Sequence, residues 1–255
     1  MSGEPPNPRS NHPKWKEGWL RDVVYLHVFP RQLTKCIPNL SPFAMKLETW
    51  LIIHDIKYEL IDHMGFSSKG QSPFIMFNEE EIPDTNFIIE YLSKYFNKDP
   101  DEGLTSVDKG IARAFLKMVE DSTSWSIFWY RYVHHPKDEY INYVTLPEQQ
   151  LVGIGAGFVD RAKKHGIGRH TNEEIYKVGS DDIRAISAFL GDKKFLFGDK
   201  PVLADCSVFG ILSQVAYVPI NYPMRTVVRE ECPNLLRYLD RIKDTYWKHW
   251  DQQMN

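Results

Sequence analysis

Apolar and polar positions change their period along the chain, and the change falls near Leu104. Before it, short apolar runs sit between polar turns. Val23 to Phe29 is a β-branched and aromatic run closed by Pro30, which predicts a buried strand. The loop Arg31 to Leu40 leads to Ser41-Pro42, a cap residue followed by a proline suited to the first helical turn. Phe43, Leu47, Trp50, Leu51 and His54 recur at helical spacing, so one face of that helix packs inward. A short strand is expected at Lys57 to Leu60, then the polar loop Gly65 to Gln71. Phe74 to Phe77 predicts a strand, Asn78 to Glu80 a turn, and Glu81-Ile82 a returning strand. Asp84-Thr85 then caps a helix carrying Ile88, Ile89, Leu92, Tyr95 and Phe96.

After a linker from Asn97 to Leu104, strand alternation disappears. Helical spacing begins at Ser106 (Ile111, Phe115, Met118, Val119, Trp125, Phe128, Trp129), and returns over Pro147 to Lys164 and Asn172 to Leu190. Phe195 to Asp199 makes a tight apolar turn ahead of a helix from Leu203 to Val218. A last helix runs from Pro233 to about Lys248. The division expected is a mobile tail over 1–20, an α/β thioredoxin-like domain over 21–98, and an all-α domain over 105–255.

Composition narrows the class. Of 255 residues, 42% are hydrophobic and 25% charged, which suits a soluble globular protein with a real core. Lys plus Arg (31) nearly balance Asp plus Glu (34), so no dedicated nucleic-acid face is expected. No apolar run reaches the roughly 20 residues of a membrane span, and no secretory h-region opens the chain. Cys36, Cys206 and Cys232 lie far apart without a Cys-x-x-Cys, which argues against a disulfide framework or zinc site and points to a reducing, cytoplasmic setting.

Four landmarks in order carry a family resemblance over nearly the whole chain. Ser41-Pro42-Phe43-Ala44 resembles the active-site motif of glutathione-transferase-like proteins, and Gly70-Gln71-Ser72-Pro73 resembles their segment ending in a cis proline. Asp84-Thr85 resembles the pair that receives the γ-glutamyl end of glutathione, and Leu203-Ala204-Asp205 the core of their second-domain capping motif. Cys36 to Phe43, Gly65 to Gly70, Gly166 to His170 and Cys232-Pro233-Asn234-Leu235 through Trp247 narrow this to the failed-axon-connections family. That family is related to cadmium-responsive transferase-like proteins of nematodes and, more distantly, to metaxins. The resemblance implies an N-terminal thioredoxin-like domain followed by an all-α glutathione-transferase domain, and a homodimer. Glutathione would be co-substrate and a small apolar electrophile the second reactant. The family's name also implies a role in axon development, which a non-catalytic interaction protein of the same fold would fill. Metaxin-like membrane tethering fits poorly with the polar stretch Tyr246 to Asn255.

Such a reaction needs a thiolate, which is scarce at neutral pH because a free thiol has a pKa of about 8.5. A hydroxyl donating to the sulfur, at a helix N-terminus, favours the ionised form. Ser41 meets both conditions, and is equally an ordinary helix cap; Cys36 is a competing thiol in the same loop. The resemblance gives Ser72 and Pro73 the docking of the peptide, and Asp84 with Thr85 the γ-glutamyl end; Asp84 is also an adequate N-cap. Lys69, and Arg31 farther off, are candidates for the glycine carboxylate, with surface solvation as the simpler role for both. The run Gly153-Ile154-Gly155-Ala156-Gly157 lacks a preceding strand and so is not read as a nucleotide loop. His134-His135 are read as solvent-facing. Trp125, Trp129, Tyr130 and Tyr132 either line the electrophile pocket or pack as core. Val202 stands where the capping motif carries Ser or Thr, a loss expected to cost about 1 kcal/mol of helix stability but not the fold.

Overall fold

The computed structural model describes residues 16–135 and 139–251. The tail reading for residues 1–15 lies outside them. Trp19 and Leu20, the end of that stretch, are tied to the first strand: the Trp19 ring stacks on Tyr25 at 3.9 Å, and the Leu20 amide donates to the Tyr25 hydroxyl.

The N-terminal half is a four-stranded mixed sheet with helices against it. Its elements are β1 (Val24–Val28), α1 (Pro42–Ile53), β2 (Tyr58–Asp62), β3 (Phe74–Phe77), β4 (Glu80–Pro83) and α2 (Thr85–Phe96). The order across the sheet is β2-β1-β3-β4, with β1 parallel to β2 and antiparallel to β3. That parallel pair needs a crossover, and α1 supplies it. β1 and β3 are buried at every position, which explains why they read as continuous apolar runs rather than alternating ones. Leu47, Trp50 and Leu51 of α1 and Ile88, Ile89 and Leu92 of α2 join Val24, Leu26, Ile75 and Phe77 in one core.

The second half is helical throughout. α3 (Ser106–Met118) runs through a widened turn (Val119–Thr123) into α4 (Ser124–Trp129), which ends in a second wide turn (Tyr130–His134). α5 (Glu148–His165), α6 (Asn172–Leu190), α7 (Leu203–Ala216), α8 (Pro223–Thr226) and α9 (Pro233–Tyr246) complete it. α8 and the wide turn that follows it (Val227–Glu231) were not anticipated, because that stretch mixes charge and β-branched residues without helical period.

The halves meet where α1 crosses α7, and Gly210 permits the contact. A side chain there would fall 2.5 Å from the Pro42 carbonyl oxygen and 2.8 Å from the Lys46 amide. α7 is accordingly buried along nearly its whole length. Asp205, in its first turn, is fully buried. It accepts from the Val202 amide (2.8 Å), the Leu196 amide (2.9 Å) and the Tyr238 hydroxyl (2.8 Å). Val202 returns no side-chain bond, so one half of the capping box is absent as the sequence predicted. Tyr238 on α9 and the Phe195–Gly198 turn take up what Asp205 has left to offer.

Candidate functional site

Strand register gathers three loop ends at one edge of the sheet. His27 of β1 pairs with Phe74 of β3, and Phe74 pairs with Pro83 of β4. The Ser72–Pro73 peptide, which is cis as the resemblance implies, therefore lies beside Pro83-Asp84 at the end of β1 that leads towards Ser41. Gln71 links two of these loops, donating from Nε2 to Asp84 Oδ2 at 3.4 Å. Asp84 caps α2 with a positive φ of 71° and accepts from the Asn86 amide at 2.9 Å. Lys69 sits at the same edge, its ammonium 5.7 Å over the Phe87 ring.

Ser41 caps α1: its Oγ accepts from the Ala44 amide at 3.3 Å, which leaves the hydroxyl hydrogen to donate elsewhere. The side chain is largely covered, 8% of the residue being exposed. Asn39 shapes the turn before it. Its Nδ2 donates to the Phe29 carbonyl (2.8 Å) and its Oδ1 accepts from the Ser41 amide (2.9 Å). Its own carbonyl accepts from Gln214 Nε2 on α7 at 3.0 Å. The Asn-x-Ser spacing is itself a turn signal legible in the sequence.

The buried Lys46–Glu120 pair and the buried Arg131 were not anticipated, and each involves a wide turn of the α3–α4 rod. Lys46 on α1 is 1% exposed, and its ammonium donates to Glu120 Oε1 (2.5 Å), Asn86 Oδ1 (2.8 Å) and Thr85 Oγ1 (3.3 Å). Glu120 also accepts from Ser207 Oγ and Asn86 Nδ2, both at 2.9 Å. This network joins α1, the start of α2, the first wide turn and α7. By donating to Thr85 Oγ1 it leaves that hydroxyl's hydrogen free to donate in turn. Burial lowers the Lys46 pKa, and the neighbouring Glu120 carboxylate opposes the fall.

Arg131, in the second wide turn, is fully buried. It donates from Nε to the Tyr222 hydroxyl, from one terminal nitrogen to the Leu40 carbonyl (3.4 Å) and from the other to the Gln214 carbonyl (3.2 Å). Arg31 also departs from the surface role expected of it, since its half-buried guanidinium pairs with the buried Glu48 carboxylate.

The aromatic candidates pack against their neighbours, with Trp125, Trp129 and Tyr132 half-buried. Trp129 donates to Asn172 (2.8 Å), Trp125 lies against His165 and Phe158, and Tyr132 stacks on Phe158. Tyr130 is buried against Tyr176 and Tyr222. His134 is solvent-exposed as expected, and its Nδ1 also meets the Tyr176 hydroxyl at 2.5 Å, while His135 is half-buried. In the glycine run, Gly155 has a structural reason: a side chain there would meet the Tyr132 carbonyl at 2.1 Å, so glycine lets α5 approach the second wide turn. All three cysteines are free. Burial pushes the Cys36 thiol up, and the fully buried Cys206 thiol far higher. Among the described residues no cluster of three metal-ligating side chains occurs, and no helix is long and apolar enough to cross a membrane.

Comparison with known proteins bears on this geometry. A glutathione S-transferase N-terminal domain family matches residues 42–137, and a glutathione S-transferase C-terminal domain family matches residues 179–242. The chain is 38% identical to "Failed axon connections" of Drosophila melanogaster, over 93% of its own length but only 61% of that protein's. It is 31% identical to the isoprene-epoxide glutathione S-transferase of Rhodococcus sp. (strain AD45), over 82% of this chain and 94% of the relative. Among solved structures, the β-etherase LigF from Sphingobium sp. strain SYK-6 superposes with a TM-score of 0.61 at 19% identity, covering 86% of this chain and 94% of its own. At that identity the likeness speaks for the fold alone.

Proposed function

The chain belongs to the glutathione S-transferase family, and on that premise we propose that it binds glutathione and conjugates it to a small apolar electrophile in the cytoplasm, in detoxification or stress response. The observation that carries the reading is the meeting of Ser41, the cis Ser72–Pro73 peptide and the Asp84-Thr85 helix start at one edge of the sheet. Glutathione fits the chemistry of those groups. The start of α2, with its positive end and the Thr85 hydroxyl, suits its γ-glutamyl carboxylate, and Asp84 suits the adjacent ammonium. Ser72 and Pro73 dock its peptide, Lys69 takes its glycine carboxylate, and Ser41 donates to its sulfur. Ser41 is favoured over Cys36 as the active group because burial raises the Cys36 thiol rather than activating it. The division of labour is a glutathione-binding domain over 21–98 and a helical domain over 105–255, assembled as a homodimer.

A second reading, a non-catalytic interaction protein acting in axon development, is favoured by the slight exposure of Ser41 and by the 38% identity to "Failed axon connections". Calorimetry with millimolar glutathione separates the two. Binding by wild type, with turnover of a model electrophile lost in Ser41→Ala, is the expected result. No heat of binding would end the enzyme reading, and equal turnover in Ser41→Ala would reduce Ser41 to a cap.

A further inference from the structure

Arg131 is the one fully buried side chain among the described residues that carries a cation with no carboxylate against it. Its partners are two carbonyls and a phenol, with the Tyr140 and Tyr222 rings 5.0 and 5.7 Å from the guanidinium carbon. The Gln214 carbonyl lies in the last turn of α7, so the negative end of that helix offsets about half of the charge. The remainder is directed at the loop that carries Cys36 and Ser41, since the Leu40 carbonyl bound by Arg131 belongs to the peptide leading into Ser41. The widened turn Tyr130–His134 and the bonds from Gln214 and Asn39 hold the two surfaces together.

We propose that Arg131 is a positioning and electrostatic residue of the glutathione site, a fixed cation contributed by the helical half that favours the thiolate at Ser41. The inference rests on the glutathione reading for its substrate, although the field it describes also acts on Cys36 in the unliganded chain. Only ionisation is involved: the thiol proton leaves to solvent, and Arg131 exchanges none. The titratable groups facing the guanidinium are Tyr132 from its own segment, Tyr140 from the turn Tyr140–Tyr143, Tyr222 from the segment before α8, and Cys36 from the loop. Glu139 stands one bond farther out, on Tyr130 and Asn221. Burial holds the Tyr140 phenol well above its ordinary range and that of Tyr222 up at about 12, so neither neutralises Arg131 at working pH.

A half-compensated charge one residue away shifts a thiol by about one pH unit at the effective dielectric of such sites. The experiment compares wild type, Arg131→Met, Arg131→Lys and Gln214→Leu. It reads the pKa of bound glutathione from ultraviolet thiolate absorbance, and the pKa of Cys36 from the pH dependence of its alkylation rate without glutathione. Cys206 and Cys232 are buried and stay silent. Both values should rise by about one unit in Arg131→Met and largely return in Arg131→Lys. In Gln214→Leu, which loosens the same turn but keeps the charge, they should stay put. If Arg131→Met does not fold, Arg131→Gln carries the same comparison. Unchanged values in a folded charge-removing variant, or an equal rise in Gln214→Leu, would overturn the proposal. Should wild type not bind glutathione, the enzyme reading falls and the Cys36 measurement still decides this one.

Discussion

Replacing Lys46 by Met keeps most of the side-chain volume while removing the cation from a site that is 1% exposed. Little cavity forms, so the cost is electrostatic. Glu120 would keep the Ser207 hydroxyl and the Asn86 amide as donors, both at 2.9 Å, but lose the ammonium at 2.5 Å. Removing one partner of a buried ion pair costs about 3 to 5 kcal/mol, because the other charge stays desolvated. The two surviving bonds to the carboxylate hold the expected loss near the lower end, about 3 kcal/mol. Urea unfolding should report it as a lower midpoint with an unchanged slope. Glu120→Gln removes the opposite charge, and the double variant leaves neither charge stranded. It should be less destabilised than the sum of the singles by about 2 kcal/mol. A loss under about 1 kcal/mol in Lys46→Met, or an additive cycle, would mean that no ion pair spans the two halves, and the account of their interface would have to be abandoned.

Other substitutions test packing and pH. Gly210→Ala, where the added carbon meets backbone atoms at 2.5 and 2.8 Å, should cost about 3 kcal/mol by prying α1 from α7; a midpoint equal to wild type would contradict the close crossing. Gly153→Ala, with nothing near the added carbon and a helical backbone, should stabilise by up to about 1 kcal/mol in the same assay, and any loss would count against the placement of α5. Burial pushes the Asp205 carboxyl up from its ordinary 3.8 to about 6, so the folded chain holds that proton more tightly than the unfolded one. Its contribution is therefore greatest below about pH 4, declines as pH rises to 6, and is flat above, a change on the order of 3 kcal/mol. Asp205→Asn should remove that decline from urea midpoints measured across the interval; parallel curves for the two proteins would refute it.

Much of this molecule is legible from its sequence. The runs Val23 to Phe29 and Phe74 to Phe77, the caps Ser41 and Asp84, and the helix Asn172 to Leu190 stand where local pattern places them. Those signals are short-range: a strand buried on both faces must be continuously apolar, and a helix start must satisfy its own amides. The sequence also reported that Val202 cannot complete its box. Which charges would be buried was invisible to it. Lys46 meets Glu120 across 74 positions and Arg131 meets Leu40 across 91, and in isolation each reads as an ordinary solvated residue. Only the crossing of α1 with α7 and the wide turns of the α3–α4 rod enclose them. A side chain's solvent exposure is a property of the assembled halves, whereas periodicity and capping belong to the local chain.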